Sequence, residues 1–241
     1  MITLHDVLTD LTYGEFAQLK LANFLSTEHE SEPDPKSYAQ LCSHINIALK
    51  AIYTRFPLAV DEVYIQLSEE IALYHLSYEY AESNIAGLQP TKYIMDTIAN
   101  PFPDNVLHIE EVYNEVGELL PLNNPEEDLS VFTPTYRTIQ VPWPNDFNTI
   151  AVQYQAGHPK IVYAKGMDAT EIEVLIPHPL HEALLFYIAS RVLTGVTNND
   201  GSNAGNSYYA KYKSRVDFVV DMGMYIQSEQ TNTKFENRGF V

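Results

Sequence analysis

The stretch EVLIPHPLHEALLFYIASRV, residues 173–192, holds the change of period on which the fold reading turns. Before it ends its first turn of phrase, Ile172, Val174 and Ile176 alternate as on one face of a strand. Beyond them Leu180, Ala183, Leu184, Tyr187 and Ile188 recur at helical spacing. Pro177 and Pro179 stand at the junction. A residue that precedes proline is pushed into extended backbone, so the helix is expected to start near Leu180. Glu182 then falls in its first turn, at the positive end of the helix dipole.

His178, His181 and Glu182 crowd this junction, which raises the question of a metal or acid/base site. A zinc-protease helix needs His-Glu-x-x-His, with two imidazoles one turn apart and the glutamate beside the metal-bound water. Ala183, Leu184 and Leu185 follow Glu182, so the second imidazole is missing. Capping and packing account for the three residues, and neither a metal nor a cofactor is expected.

Outward toward the N-terminus the period stays at two. Val63, Ile65 and Leu67 alternate, residues 73–80 are tyrosine-rich, and Ile139 with Val141 and Ile150 with Val152 and Tyr154 repeat the pattern. Residues 92–99 read equally as strand or short helix. In VLHIEEVYNEVGELLPL, residues 106–122, the turn at 114–117 marks a hairpin. PWPND, AGHPK and AKGMD separate the strands as turns. Before Val60 the period is helical, in Leu4, Val7, Leu8 and Leu11 and again in Leu41, Ile45, Leu49, Ile52 and Phe56, with Pro57 closing the second helix. Asp34 and Pro35 read as its cap and first-turn pair.

Toward the C-terminus TNNDGSNAGNS, residues 197–207, reads as a flexible connection, and Tyr212, Val216, Val219, Val220 and Ile226 hold one face of a last helix over about 207–228. The expected fold class is α+β: a helical bundle built from N- and C-terminal helices (1–57 and 177–241) with an inserted antiparallel β domain (58–176). A doubly wound sheet would alternate strands and helices and carry a Gly-rich phosphate loop after its first strand, and neither pattern is seen.

The chain of 241 residues carries a formal net charge of −18, with 19 acids and 5 bases in residues 1–120 against 13 and 9 in 121–241. Such a surface repels nucleic-acid phosphates rather than gripping them. Cys42 is the only cysteine, so an internal disulfide and a multi-cysteine zinc cluster are both excluded, and its apolar neighbours make it a core thiol. The opening MITLHDVLTDLTYGEF lacks the basic start and apolar run of a signal peptide, and the apolar run 183–189 is too short to span a bilayer. A soluble protein with no membrane partner is expected.

Other candidate sites give way to plainer readings. In NPEEDLS the acids Glu126, Glu127 and Asp128 are consecutive, which suits a solvated turn and not the alternating oxygen ligands of a calcium loop. Asn198, Asn199, Asp200, Gly201 and Asn203 lack the bidentate glutamate that would complete such a loop. There is no G-x-S-x-G elbow and no Walker loop. Thirty-two acids, Trp143 and seventeen tyrosines leave open a protein that binds or hydrolyses carbohydrate through its β domain.

A pattern spread over residues 3–225 resembles the head-to-tail adaptor (connector ring) proteins of tailed bacteriophages, especially short-tailed phages. It is carried by LTYGEFAQL, SHINIALKAIYTRF, EVYIQL, VLHIEEVYNEVGELLPLNN, LSVFTPTYRTIQVP, IAVQYQAGHPKI, the junction quoted above, and YYAKYKSRV, in that order. The resemblance implies a structural virion protein without catalytic residues. Its copies, usually twelve, would form a ring beneath the portal protein, join capsid to the tail nozzle or next tail protein, and let DNA pass through the lumen without sequence-specific binding. Assembly in the host bacterial cytoplasm and a place at the head-tail junction of the virion follow. The resemblance also implies portal docking through the C-terminal region, where Lys234, Phe235, Arg238 and Phe240 are the charged and apolar anchors of an arm that orders on binding. Lys211 and Arg215, at i and i+4 on the last helix, are the expected inter-subunit face.

Overall fold

The computed structural model describes residues 2–16, 35–87, 89, 91–143, 146–164, 166–194 and 199–224. In chain order the elements are β1 (Ile2–Thr3), α1 (Leu4–Asp10), a π-helical turn (Leu11–Glu15), α2 (Pro35–Arg55), β2 (Val60–Gln66), β3 (Leu73–His75), β4 (Ile94–Met95), β5 (Val106–Asn114), β6 (Phe132–Thr135), β7 (Thr138–Gln140), β8 (Thr149–Ala156), β9 (Glu173–Val174), α3 (His178–Thr194) and α4 (Asn199–Asp221). The protein is a mixed fold of helices and antiparallel sheets. It divides into two compact units, Met1–Ile45 with Val162–Val241, and Asn46–Ile161.

The first unit is mainly helical. Thr3 caps α1 through a reciprocal capping box: its hydroxyl accepts the Asp6 N–H, and the Asp6 carboxylate accepts the Thr3 N–H at 2.8 Å. Those hydrogen bonds to the ionised form hold the Asp6 carboxyl below the usual carboxylate range. β1 pairs antiparallel with β9, setting Ile2 opposite Val174. Leu4, Val7 and Leu8 of α1, Leu41 and Ile45 of α2, and Leu180, Leu184 and Ile188 of α3 are all buried. Each such side chain contributes roughly 1.5–3 kcal/mol through burial, so this apolar register, not local propensity, holds the short α1 in place.

α3 and α4 form an antiparallel helical hairpin, and here two expectations are corrected. The helix at the junction begins at His178, not near Leu180, because a proline in the first turn lacks only an N–H that would have had no partner. Glu182 therefore lies beyond the first turn. Residues 199–206, expected to be a flexible connection, are the first two turns of α4. The cause is Gly205, which packs directly on α3: a Cβ there would stand 2.9 Å from the Thr194 nitrogen and 3.1 Å from the Ser190 carbonyl oxygen. Glycine is weak in a helix interior by about 1 kcal/mol, yet only glycine permits this backbone approach.

The second unit holds two antiparallel sheets, in the orders β4-β2-β8-β5 and β3-β7-β6, around one hydrophobic core. β8 is central. Val152 stands opposite Val63 of β2 and Val112 of β5, and Ile150 opposite Ile65, so the alternating residues of three strands meet on one face. The ambiguous segment 92–99 resolves into the short strand β4. The hairpin turn forms where expected, with the Asn114 side-chain oxygen accepting the Val116 and Glu118 N–H groups and Gly117 in the left-handed region at φ 83°.

The tyrosine-rich segment 73–80 is a strand only as far as His75, then passes into a 3-10 turn, Tyr78–Tyr80. The Tyr93 hydroxyl covers the open edge of this strand. It accepts the His75 N–H at 2.8 Å and donates to the His75 carbonyl at 3.1 Å, while the Leu76 N–H still bonds the Arg137 carbonyl toward β7 at 2.8 Å. Asp96 organises the neighbouring loop by accepting the Ser83 and Phe102 N–H groups at 2.7 and 2.8 Å. Burial pushes its pKa up, but these bonds outweigh burial and hold it below the ordinary value.

Candidate functional site

The junction histidines do not converge on a metal site; among the described residues no group of three or more His, Cys, Asp or Glu side chains is placed to hold an ion. His181 points its Nε2 toward Asp10, at 3.6 Å from Oδ2, without a directed hydrogen bond. Desolvation lowers its pKa, against the opposing pull of Asp10 and Asp6. Cys42 is buried with its thiol donating weakly to the Tyr163 carbonyl at 3.6 Å, and burial pushes the thiol pKa up, away from the thiolate that reactivity needs. Trp143 donates its indole N–H to the Ile71 carbonyl at 3.3 Å.

Lys211 and Arg215 both turn toward α3 of their own chain. The Arg215 Nε lies 3.0 Å from Glu182 Oε2, although the N–H is not aimed at that oxygen, so the contact is an ion pair more than a directed bond. The Lys211 ammonium sits over the Tyr208 ring at 4.4 Å and the Phe186 ring at 5.5 Å, a cation–π arrangement. Lys234, Phe235, Arg238 and Phe240 lie outside the described residues. Just before them, the end of α4 and its following turn carry Phe218, Val220, Met222 and Met224, which are 44%, 37%, 60% and 43% exposed.

The second unit holds a cleft of about 890 Å³. Its walls come from the C-terminal half of α2 (Leu49, Lys50), the segment 103–107 entering β5, the β6–β7 turn (Tyr136, Arg137) and the segment 157–160. Asn46 builds one wall: its amide donates to the Ile161 carbonyl and accepts the Ile161 N–H, both at 2.8 Å, in the manner of a strand pair. Gly157 and Asn105 pin the other side, through the Gly157 N–H to the Asn105 carbonyl at 2.7 Å and the Asn105 amide to the Gly157 carbonyl at 3.1 Å.

The electrostatics of the cleft run against those of its unit. Residues 46–161 hold five bases and sixteen acids, yet Lys50, Arg137 and Lys160 line the cleft beside a single acid, Asp104. Arg137 is held over the Tyr136 ring at 5.6 Å and lies 4.0 Å from Asp104. Asp104 occupies the left-handed region at φ 52°, which aspartate tolerates better than most residues. Desolvation raises its pKa, opposed by the Arg137 guanidinium. Neither Lys50 nor Lys160 has an ion-pair partner among the described residues.

Sequence reasoning had no access to this cleft. AGHPK ends β8 at Ala156 and runs on without a regular element, and nothing in the order of residues says that its Lys160 meets Lys50, 110 positions earlier, or Arg137. The one legible signal was indirect: bases are scarce in this acidic stretch, and scarce charges placed together are informative. Comparison with protein-family models finds no match to this chain, and comparison with curated proteins finds none.

Proposed function

We propose that this chain is a head-to-tail adaptor: a structural virion protein whose copies form a ring, dodecameric by the resemblance, beneath the portal protein. It would join capsid to tail and let DNA through the lumen, acting through interfaces and not through turnover. In this reading α1 to α4 supply the helical bundle of each ring subunit, and the β unit is offered to the next tail protein.

The observation that carries the reading is the end of α4. Val216 and Val219 already face the core, and Phe218, Val220, Met222 and Met224 expose apolar surface on the remaining sides. A helix end that exposes four apolar side chains beside Asp217 and Asp221 has no cover for them among the described residues, and aromatic and methionine side chains are what protein interfaces favour. The net charge of −18 suits the same reading, since many acidic copies around one channel would leave DNA hydrated and unbound.

The test is the native mass of this protein co-expressed with the portal protein encoded in the same genome. A complex carrying a ring of copies supports the adaptor. A chain that stays apart from the portal overturns it, and screening the β unit for carbohydrate binding and hydrolysis then becomes the next measurement. Deleting residues 229–241 is expected to weaken portal binding.

A further inference from the structure

The basic cleft has a counterpart on the same unit. Residues 124–130 form a turn whose Glu126, Glu127, Asp128 and Leu129 are all exposed, Leu129 by 43%. The turn is rigidly built. The Asn124 side chain accepts the Glu126 N–H at 3.1 Å and donates to Glu127 at 3.1 Å. The Ser130 hydroxyl accepts the Asn124 N–H at 2.9 Å and donates to the Pro121 carbonyl at 3.2 Å. Three carboxylates and one leucine are thus presented with little entropy left to lose on docking. The cleft offers three cationic groups around apolar Leu49, Val106 and Leu107.

The placement of the two features decides between an internal and an external partner. The acidic turn leads into one end of β6, through Val131, and the cleft residues Tyr136 and Arg137 leave its other end. A four-residue strand separates them by about 13 Å, and a rigid strand cannot bring its two ends together. A turn held at the far end of β6 is placed to dock in the cleft of another copy.

We propose that the acidic turn 124–130 of one copy docks in the basic cleft of the next, making a head-to-tail contact. Glu126, Glu127 and Asp128 meet Lys50, Arg137 and Lys160, and Leu129 enters the apolar floor. Such a contact uses two different surfaces, so it propagates from copy to copy and closes into a ring when its rotation allows. The contact names the self-interface of the adaptor and rests on that reading only for closure into a ring.

Charge reversal tests it on the full chain, because the exchanged residues are exposed and folding can be checked by thermal melting. Sedimentation at high protein concentration and low salt should show the wild type self-associating, and less so as salt screens the charges. Lys50→Glu with Lys160→Glu should weaken association about tenfold or more, and adding Glu126→Lys with Glu127→Lys to that same chain should restore it. Unchanged association in the first variant, or no rescue in the second, overturns the contact, as does a wild type that is monomeric both alone and with portal. Failure of the two proposals is distinguishable. A wild-type ring on portal that the cleft variant forms equally well removes the contact and leaves the adaptor. Charge-swap rescue without any portal binding leaves the contact and removes the adaptor.

Discussion

The helical unit and the β unit handle their charged side chains in opposite ways. In the former, Arg215 is turned onto Glu182 and Lys211 onto the Tyr208 and Phe186 rings, so the cations are spent within the α3–α4 hairpin. In the latter, Lys50 and Lys160 flank a cleft with no ion-pair partner among the described residues, while most of the acids face elsewhere. Both units expose apolar side chains, Phe218 and Met222 in the helical unit and Ile85, Ile98 and Val116 in the β unit, and the β unit adds the cationic cleft and the acidic turn. Two kinds of interface follow: one that buries area and resists salt, and one that depends on charge and weakens with it.

The largest effect expected is on the β core. Ile65 is fully buried opposite Ile150, and Ile65→Ala removes apolar contacts on a face shared by three strands. A loss of about 2–5 kcal/mol is expected, read by urea denaturation. If the two units unfold separately, only the transition of residues 46–161 should move, which would sharpen the division between them. Gly205→Val attacks the other unit. Its side chain would meet α3 backbone inside contact distance, so a loss of about 1–3 kcal/mol with weakened α3–α4 packing is expected in a thermal melt. A neutral result there would mean that the hairpin is looser than the Gly205 contact implies.

Asn46→Ala should cost about 1–3 kcal/mol, the sum of two hydrogen bonds of ordinary strength. Its more telling effect is on the cleft wall, so self-association should fall even at temperatures where the variant is folded. The acid limb of stability is expected to begin with histidine. His44, His158 and His181 all have pKa values lowered mainly by burial, so the folded chain binds these protons less readily than the unfolded chain. Their contribution is complete above the ordinary value of about 6.5 and is lost as pH falls from there toward the folded values. The lowered carboxyls Asp6, Asp96 and Asp168 add a loss only at lower pH, below the ordinary carboxylate range. A pH series of melting temperatures flat between 7 and about 5 would contradict the histidine step.

The sequence carried the periodic elements and missed what depends on proximity. Leu180, Leu184 and Ile188 read as a helix, and Val63 with Ile65 as a strand, because burial on one face leaves a period in the chain itself. Gly205 was read as a linker residue because glycine marks loops and close helix packing alike, and only the presence of α3 separates the two. Residues 76–80 read as strand because tyrosine-rich composition does not show where a strand gives way to a 3-10 turn. The cleft was invisible for the same reason: Lys50, Arg137 and Lys160 form no local pattern. Glu182 shows a smaller version of the problem, since a two-residue shift of the helix start moved it from a dipole position to a partner for Arg215.

That pair gives the smallest expected effect and the sharpest question about α4. Side-chain exposures of 29% for Arg215 and 52% for Glu182 leave the pair partly in water, so a double-mutant cycle of Arg215→Ala and Glu182→Ala should give a coupling of at most about 1 kcal/mol that falls with salt. Because Arg215 is ion-paired with its own α3, exchanging the charges, Glu182→Arg with Arg215→Glu, should leave assembly on portal unchanged. If the exchange abolishes assembly while the melting temperature holds, the guanidinium has a second partner in a neighbouring copy, and the helical unit joins the β unit in using charge at its surface. If assembly persists, charge-dependent association belongs to the β unit alone, and α4 contributes through Phe218 and Met222.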